Sequence, residues 1–183
     1  GQELHESDEA LKFGLKVVSF MNKKCQELAQ EHKLRFALEQ SPMEGLCYRF
    51  ARLDLKYFPQ QASRVVKGDM EKEAVYYTNS SQLNVGAPIP PEERVFKEGL
   101  FHPLIDAGAM THLWIGESKP SAKAVASFVK KTYEQTTSEL IAFSPEFTLC
   151  ESCRLTSRGL LDQCPGCGSR DVDHATRVSG FFS

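Results

Sequence analysis

Four of the six cysteines in this 183-residue chain fall in one short stretch, Cys150, Cys153, Cys164 and Cys167, spaced C-x2-C-x10-C-x2-C. Paired thiolates at this spacing suit a tetrahedral ion with four sulfur ligands near roughly 2.3 Å, and a closed four-thiolate site is structural because it leaves no open position for substrate. The second pair lies in "CPGCGS", where Pro165, Gly166 and Gly168 permit the tight turns that aim two sulfurs at one point. Zn²⁺ is the first reading, with an iron–sulfur cluster or a redox pair as the alternatives. Cys25 and Cys47 stand alone in helical patterns and read as core packing, since an unpaired cysteine behaves as a small hydrophobe.

A zinc ribbon often binds nucleic acid, and charge weighs against that here. From Cys150 to Ser183, Arg154, Arg158, Arg170 and Arg177 are balanced by Glu151, Asp162, Asp171 and Asp173, so the segment has no surplus with which to release phosphate counterions. The whole chain has a net charge of -2 and a pI of about 6.2. Neither nucleic acid nor an anionic membrane is an expected partner. No apolar run approaches the roughly 18 residues of a membrane span, the start "GQELHESDEALKFG" is unlike a signal peptide, and a reducing, cytoplasmic location is expected.

A second motif, "SPMEG", places Ser41 as a helix N-cap, Pro42 at the first helical position and Glu44 three residues after Ser41, the pattern of a capping box. The same turn, at the end of a predicted strand, offers backbone N–H groups and a positive helix terminus to a phosphate, against which the carboxylate of Glu44 competes. His102, His112 and the run Tyr76–Tyr77–Thr78–Asn79 read as hydrogen-bonded core or turn residues first and as ligand contacts second. The chain carries no Ser/His/Asp grouping, nucleotide-binding glycine loop or H-E-x-x-H helix.

The elements that must position these residues alternate between helix and strand. Leu11, Leu15, Val18, Cys25 and Leu28 mark one face of a helix over residues 7–30, entered through Ser7 and an acidic first turn. "KLRFALEQ" predicts a strand, and Leu46, Phe50, Leu53 and Tyr57 a second helix. Residues 59–72, 74–93 and 99–110 read as long loops broken by one short strand. "THLWIG" then predicts a strand, "SAKAVASFVKKTYEQT" a helix with Val125, Phe128 and Val129 inward, and "ELIAFS" a further strand. Alternation of this kind favours an α/β arrangement with parallel strands, too few to close a barrel within this chain.

The ending "TRVSGFFS" after a four-cysteine knuckle is similar to the glycyl-radical motif, close to R-V-x-G-Y. With "GQELHES", "LEQSPMEGLCYRFARLD", "YYTNS", "APIPPEER" and "GLFHPLIDAG" in this order, the whole chain resembles the C-terminal part of the anaerobic (class III) ribonucleoside-triphosphate reductases. The resemblance implies the C-terminal portion of a ten-stranded α/β barrel over residues 1–145, with a small four-cysteine zinc-ribbon subdomain and radical loop over 146–183. It implies reduction of ribonucleoside triphosphates to deoxyribonucleotides by glycyl and thiyl radicals. Gly180 matches the glycine that stores the radical, a residue type whose bare α-carbon lets an unpaired electron spread over both flanking amides. A separate radical-SAM 4Fe-4S activase generates that radical in the family. The family also implies a homodimer, and it turns Ser41, Met43, Glu44 and Gly45 into a substrate-phosphate turn in which Met43 replaces a smaller residue.

Three departures accompany the match. Phe181 stands where the family has tyrosine, the family's helix beyond the glycine does not follow, and the front half of the barrel, with the loop bearing the thiyl cysteine, is not matched by this chain. Inactivity of the 183-residue chain alone is therefore expected, as is its role as a fragment or one piece of a split enzyme. The competing reading is a non-catalytic zinc-ribbon interaction module on an α/β domain.

Overall fold

The computed structural model describes residues 3–41, 43–71, 73–116, 119–175, 177–178 and 181–182. Two compact units divide the chain: residues 1–111 with 132–140, and residues 112–131 with 141–183.

The first unit opens on α1 (Asp8–His32), capped by the Ser7 hydroxyl accepting from Ala10 N, and ended by Lys33 in the left-handed region at φ 54°. Its inner face lays Leu11, Leu15 and Val18 on a core of Phe101, Ile105 and Ala109, with Leu4 and Leu38 beside them. Asn22, buried on the same face, donates to Leu104 O at 2.9 Å and to Asp106 Oδ2 at 2.8 Å, tying α1 to a 3-10 turn (His102–Leu104). A second core joins Ala51 of α2 (Glu44–Tyr57) to Ala62 of α3 (Pro59–Ala62), Val66 and Val75.

Strands β1 (Lys67–Asp69) and β2 (Ala74–Tyr76) pair antiparallel; β2 falls in the segment expected to carry one short strand, and β1 in what reads from sequence as loop. Gly68 is required there: φ is +94°, and a Cβ would lie 2.0 Å from Ala74 O. Helix α4 (Pro91–Gly99) is also unforeseen, because its buried face is Arg94, Val95, Glu98 and Gly99 rather than an apolar stripe. Conversely, the strand predicted at "KLRFALEQ" does not form. Residues 35–41 contribute backbone bonds at Ala107 N to Leu38 O and Gln40 N to Gly108 O, too few to make a ladder.

The second unit takes in β3 (Thr111–Gly116) from His112 on, α5 (Ala122–Gln135) as far as Lys131, and β4 (Ile141–Pro145); β3 and β4 pair as a two-stranded sheet and are linked through α5. Phe128 of α5 meets Phe143 of β4 edge to face at 5.8 Å. β5 (Phe147–Cys150) is the middle strand of a three-stranded sheet, between β6 (Thr156–Arg158) and β7 (Val172–Ala175). A two-stranded pair, β8 (Arg177–Val178) with β9 (Phe181–Phe182), follows. Parallel strands were the expectation, yet the described registers, β1–β2, β5–β6, β5–β7 and β8–β9, are antiparallel. In β1–β2 and β5–β6 the connections are too short for the crossover a parallel pair needs. Among the described residues no helix is long and apolar enough to cross a membrane.

Candidate metal centre

β5 ends on Cys150, which starts the first of two turns built on one plan. Arg154 N donates to Cys150 O at 2.9 Å and Cys150 N to Leu155 O at 2.9 Å. In the second turn Gly168 N donates to Cys164 O at 3.0 Å and Cys164 N to Ser169 O at 2.8 Å. Each turn closes on a left-handed residue, Arg154 at φ 61° and Gly168 at φ 74°. Ser152 and Ser169 join the turns through their hydroxyls at 2.9 Å, and Glu151 N donates to Asp171 O at 3.0 Å.

This places the sulfurs of Cys150, Cys153, Cys164 and Cys167 all within 4.8 Å of one another. Cys150 and Cys167 are 3.6 Å apart, as are Cys153 and Cys164. A disulfide would need about 2.0 Å; ligands of a tetrahedral thiolate site lie roughly 3.8 Å apart. Backbone N–H groups of Cys153 and Gly166 each point at a sulfur, Cys150 Sγ and Cys164 Sγ, at 3.4 Å. Cys164 is pulled down to about 6, chiefly by the Cys167 N–H and with help from Gly166 N–H against the opposing effect of burial. Cys153 is raised to about 12 and Cys167 is raised as well, so the fit to a thiolate-bound cation rests on the four converging sulfurs and the N–H donors aimed at two of them. Behind the cluster, buried Thr148 donates to Gly159 O at 2.6 Å and accepts from Leu161 N at 2.8 Å, pinning the loop between the two turns to β5.

The other sequence-derived candidates sit elsewhere. The capping box at Ser41 does not form: Met43 is the N-cap of α2, without a side-chain cap bond. Its φ of -138° is not helical, so the helix starts at Glu44, two residues past the first helical position the motif predicts. Pro42 and the Glu44 side chain lie outside the described residues, and so does Gly180.

His102 is a hydrogen-bonded core residue. Its Nδ1 accepts from Glu139 N at 2.9 Å, its Nε2 lies 3.4 Å from Thr111 Oγ1, and burial lowers its pKa. His112 is equally buried, bonded through Nε2 to Ser144 Oγ and stacked on Trp114 at 4.6 Å. Cys25 and Cys47 are half-buried. Tyr77 and Thr78, with residues 80–84, instead line an open cleft of about 590 Å³ in the first unit, whose lining also includes Phe13, Val17 and Met21 of α1.

Sequence reasoning missed what fixes that 77–84 segment. Arg94 donates to Leu83 O at 3.1 Å and Asn84 O at 2.7 Å, while Glu98 accepts from Leu83 N at 2.8 Å and pairs with Arg94 at 3.1 Å. Burial pushes Glu98 up to about 7, against the downward pull of the Leu83 N–H and the Arg94 guanidinium. The i, i+4 spacing of Arg94 and Glu98 lies in the sequence, but it has meaning only once a helix is known to run there.

Comparison with known proteins agrees with the family resemblance of the sequence. The sequence model of the anaerobic ribonucleoside-triphosphate reductase family matches residues 1–183. The anaerobic ribonucleoside-triphosphate reductase of Salmonella typhimurium is 28% identical, the match covering 100% of this chain and 25% of that protein. The Escherichia coli protein of the same name is 27% identical with the same coverage. Among solved structures, the anaerobic ribonucleotide reductase of Thermotoga maritima in complex with dATP and CTP superposes with a TM-score of 0.70 at 20% identity, over 97% of this chain and 27% of that one. The chain thus spans about a quarter of the length of the relatives it matches. A match over its whole length nonetheless fixes its membership: the chain belongs to the anaerobic ribonucleoside-triphosphate reductase family.

Proposed function

We propose that this chain is the metal-knuckle and radical-storage portion of an anaerobic reductase that converts ribonucleoside triphosphates to deoxyribonucleotides. The observation that carries the reading is the set of four converging sulfurs immediately ahead of "RVSGFF", in a chain the family matches from end to end. On this reading Cys150, Cys153, Cys164 and Cys167 hold Zn²⁺, which clamps the two turns and supplies no catalytic position. Gly180 stores the radical delivered by a radical-SAM 4Fe-4S activase. Residues 1–145 form part of a ten-stranded barrel and residues 146–183 the knuckle and radical loop. Strands β8 and β9 pair Val178 with Phe181, the described residues on either side of Gly180 in the sequence.

The backbone turn at Ser41, Met43, Glu44 and Gly45 receives substrate phosphate at the start of α2, which has no side-chain cap bond there. The reductase works in the cytoplasm as a homodimer, and this chain is inactive without the remainder of the enzyme, which supplies the thiyl cysteine. The test is EPR after anaerobic incubation with activase and S-adenosylmethionine, on this chain joined to the rest of a reductase. A glycine-centred doublet that Gly180→Ala abolishes is the expected result. Silence in an assembled, zinc-loaded enzyme would favour a non-catalytic zinc-ribbon module.

A further inference from the structure

Helix α1 has two apolar faces, and only one of them is covered within the described structure. Leu11, Leu15 and Val18 pack on the Phe101 core. Phe13, Val17, Phe20, Met21 and Leu28, at i, i+4, i+7, i+8 and i+15, form a second stripe and are 68%, 41%, 60%, 45% and 39% exposed. From Phe13 to Leu28 it runs about 22 Å along the helix. Lys12, Lys16, Ser19 and Lys23 take the remaining side. A helix at the edge of a finished domain turns one apolar face inward and a polar face to water; two apolar faces suit a helix held between neighbours.

The stripe also continues into a groove. Phe13, Val17 and Met21 form one wall of the 590 Å³ cleft, and Leu38 and Val65 lie among its other lining residues. Lys24 falls within the stripe, but its charge is met by Glu27 at 2.5 Å and it lies over the Phe20 ring at 5.7 Å, so it does not repel an apolar neighbour.

We infer that this second face of α1 is the seam on which an apolar segment of the reductase polypeptide beyond this chain packs. The inference rests on the proposed function. The relatives supply the occupant: this chain spans only 25% of the Salmonella typhimurium protein, leaving most of that polypeptide to cover surface that is open here. A contiguous set of five large apolar side chains left bare would be an aggregation liability in a finished enzyme.

Cysteine accessibility tests the seam. Phe13→Cys and Phe20→Cys are made in the 183-residue chain, and the residues aligned with them are replaced by cysteine in the full-length Salmonella typhimurium reductase. Maleimide labelling is read by peptide mass spectrometry, each rate scaled to the urea-unfolded protein. At both positions labelling should be about tenfold or more slower in the full-length enzyme than in the short chain. Equally fast labelling in the two proteins overturns the inference.

Sedimentation of the short chain supplies the other outcome: a dimer that Phe20→Asp converts to monomer would assign the stripe to a second copy and overturn it too. Where a cysteine variant does not fold, hydrogen exchange of α1 in the unaltered proteins gives the same comparison, with at least tenfold slower exchange expected in the full-length enzyme. Radical formation at Gly180, read in this chain joined to the rest of a reductase, or at the glycine aligned with it in the full-length enzyme, is a separate readout. Fast labelling in an enzyme that still forms the doublet sinks the seam alone, and protection without any doublet sinks the functional reading alone.

Discussion

Two segments of irregular backbone in this chain are fixed by opposite means. The turns around Cys150 and Cys164 are mostly at the surface and are drawn together by four sulfurs, whereas residues 83–84 are fixed by the buried Arg94–Glu98 pair, whose hydrogen bonds satisfy Leu83 and Asn84. A bound ion contributes its binding free energy directly to the fold of the turns, with apparent values on the order of 10–16 kcal/mol for small structural zinc sites. The buried pair gains little over an apolar replacement, yet breaking it by removing one partner costs roughly 3–5 kcal/mol. On the proposed reading the first segment is governed by metal and redox state, the second by protonation.

Metal removal gives the largest expected effect. A chelator, or Cys164→Ser, should abolish amide protection across residues 147–175 while leaving α1 and α4 protected, as hydrogen exchange would read it. Equal loss of protection in both units would erase the distinction drawn between them.

Acid and base should act on the other segment. Glu98 is raised from 4.5 to about 7, so the folded state holds its proton more tightly than the unfolded chain does. Its contribution is fully present below pH 4.5 and is lost as pH rises to about 7, a change on the order of 3 kcal/mol. Glu98→Gln should remove that part of the pH dependence in urea melts, and an unchanged profile would show the carboxylate to be insensitive to its burial.

The smallest effect sharpens the likeness between the two cysteine turns. Arg154 takes the left-handed conformation that a glycine, Gly168, takes in the second turn. Arg154→Gly should stabilise the metal-loaded protein by up to about 1 kcal/mol, because the strain relieved exceeds the entropy glycine adds to the unfolded chain. The Glu151–Arg154 ion pair lost in the process is exposed and offsets little. A fall in melting temperature would contradict the equivalence of the turns.

These differences also explain what could be read from sequence. Ligand spacing is local, so the four cysteines announced their cluster, and α1, α2, α5, β3 and β4 followed from apolar periodicity and caps. Helix α4 escaped because its inward positions include Arg94 and Glu98, whose partners, Leu83 and Asn84, are a loop that periodicity cannot place. The second face of α1 escaped for the converse reason: Phe13, Val17 and Phe20 are apolar but uncovered, and one apolar face was enough to identify the helix. β6 and β7 escaped because they are short and polar, with a ladder that exists only once β5 lies between them. At Ser41 the cap pattern was present, but the helix began two residues past the position that "SP" indicated.

X-ray absorption at the zinc edge on the protein purified without added metal tests the central claim, a closed four-thiolate ion, most directly. One zinc per chain with four sulfur neighbours near roughly 2.3 Å is the predicted result. A metal-free chain, or a zinc shell containing oxygen or nitrogen, would contradict it.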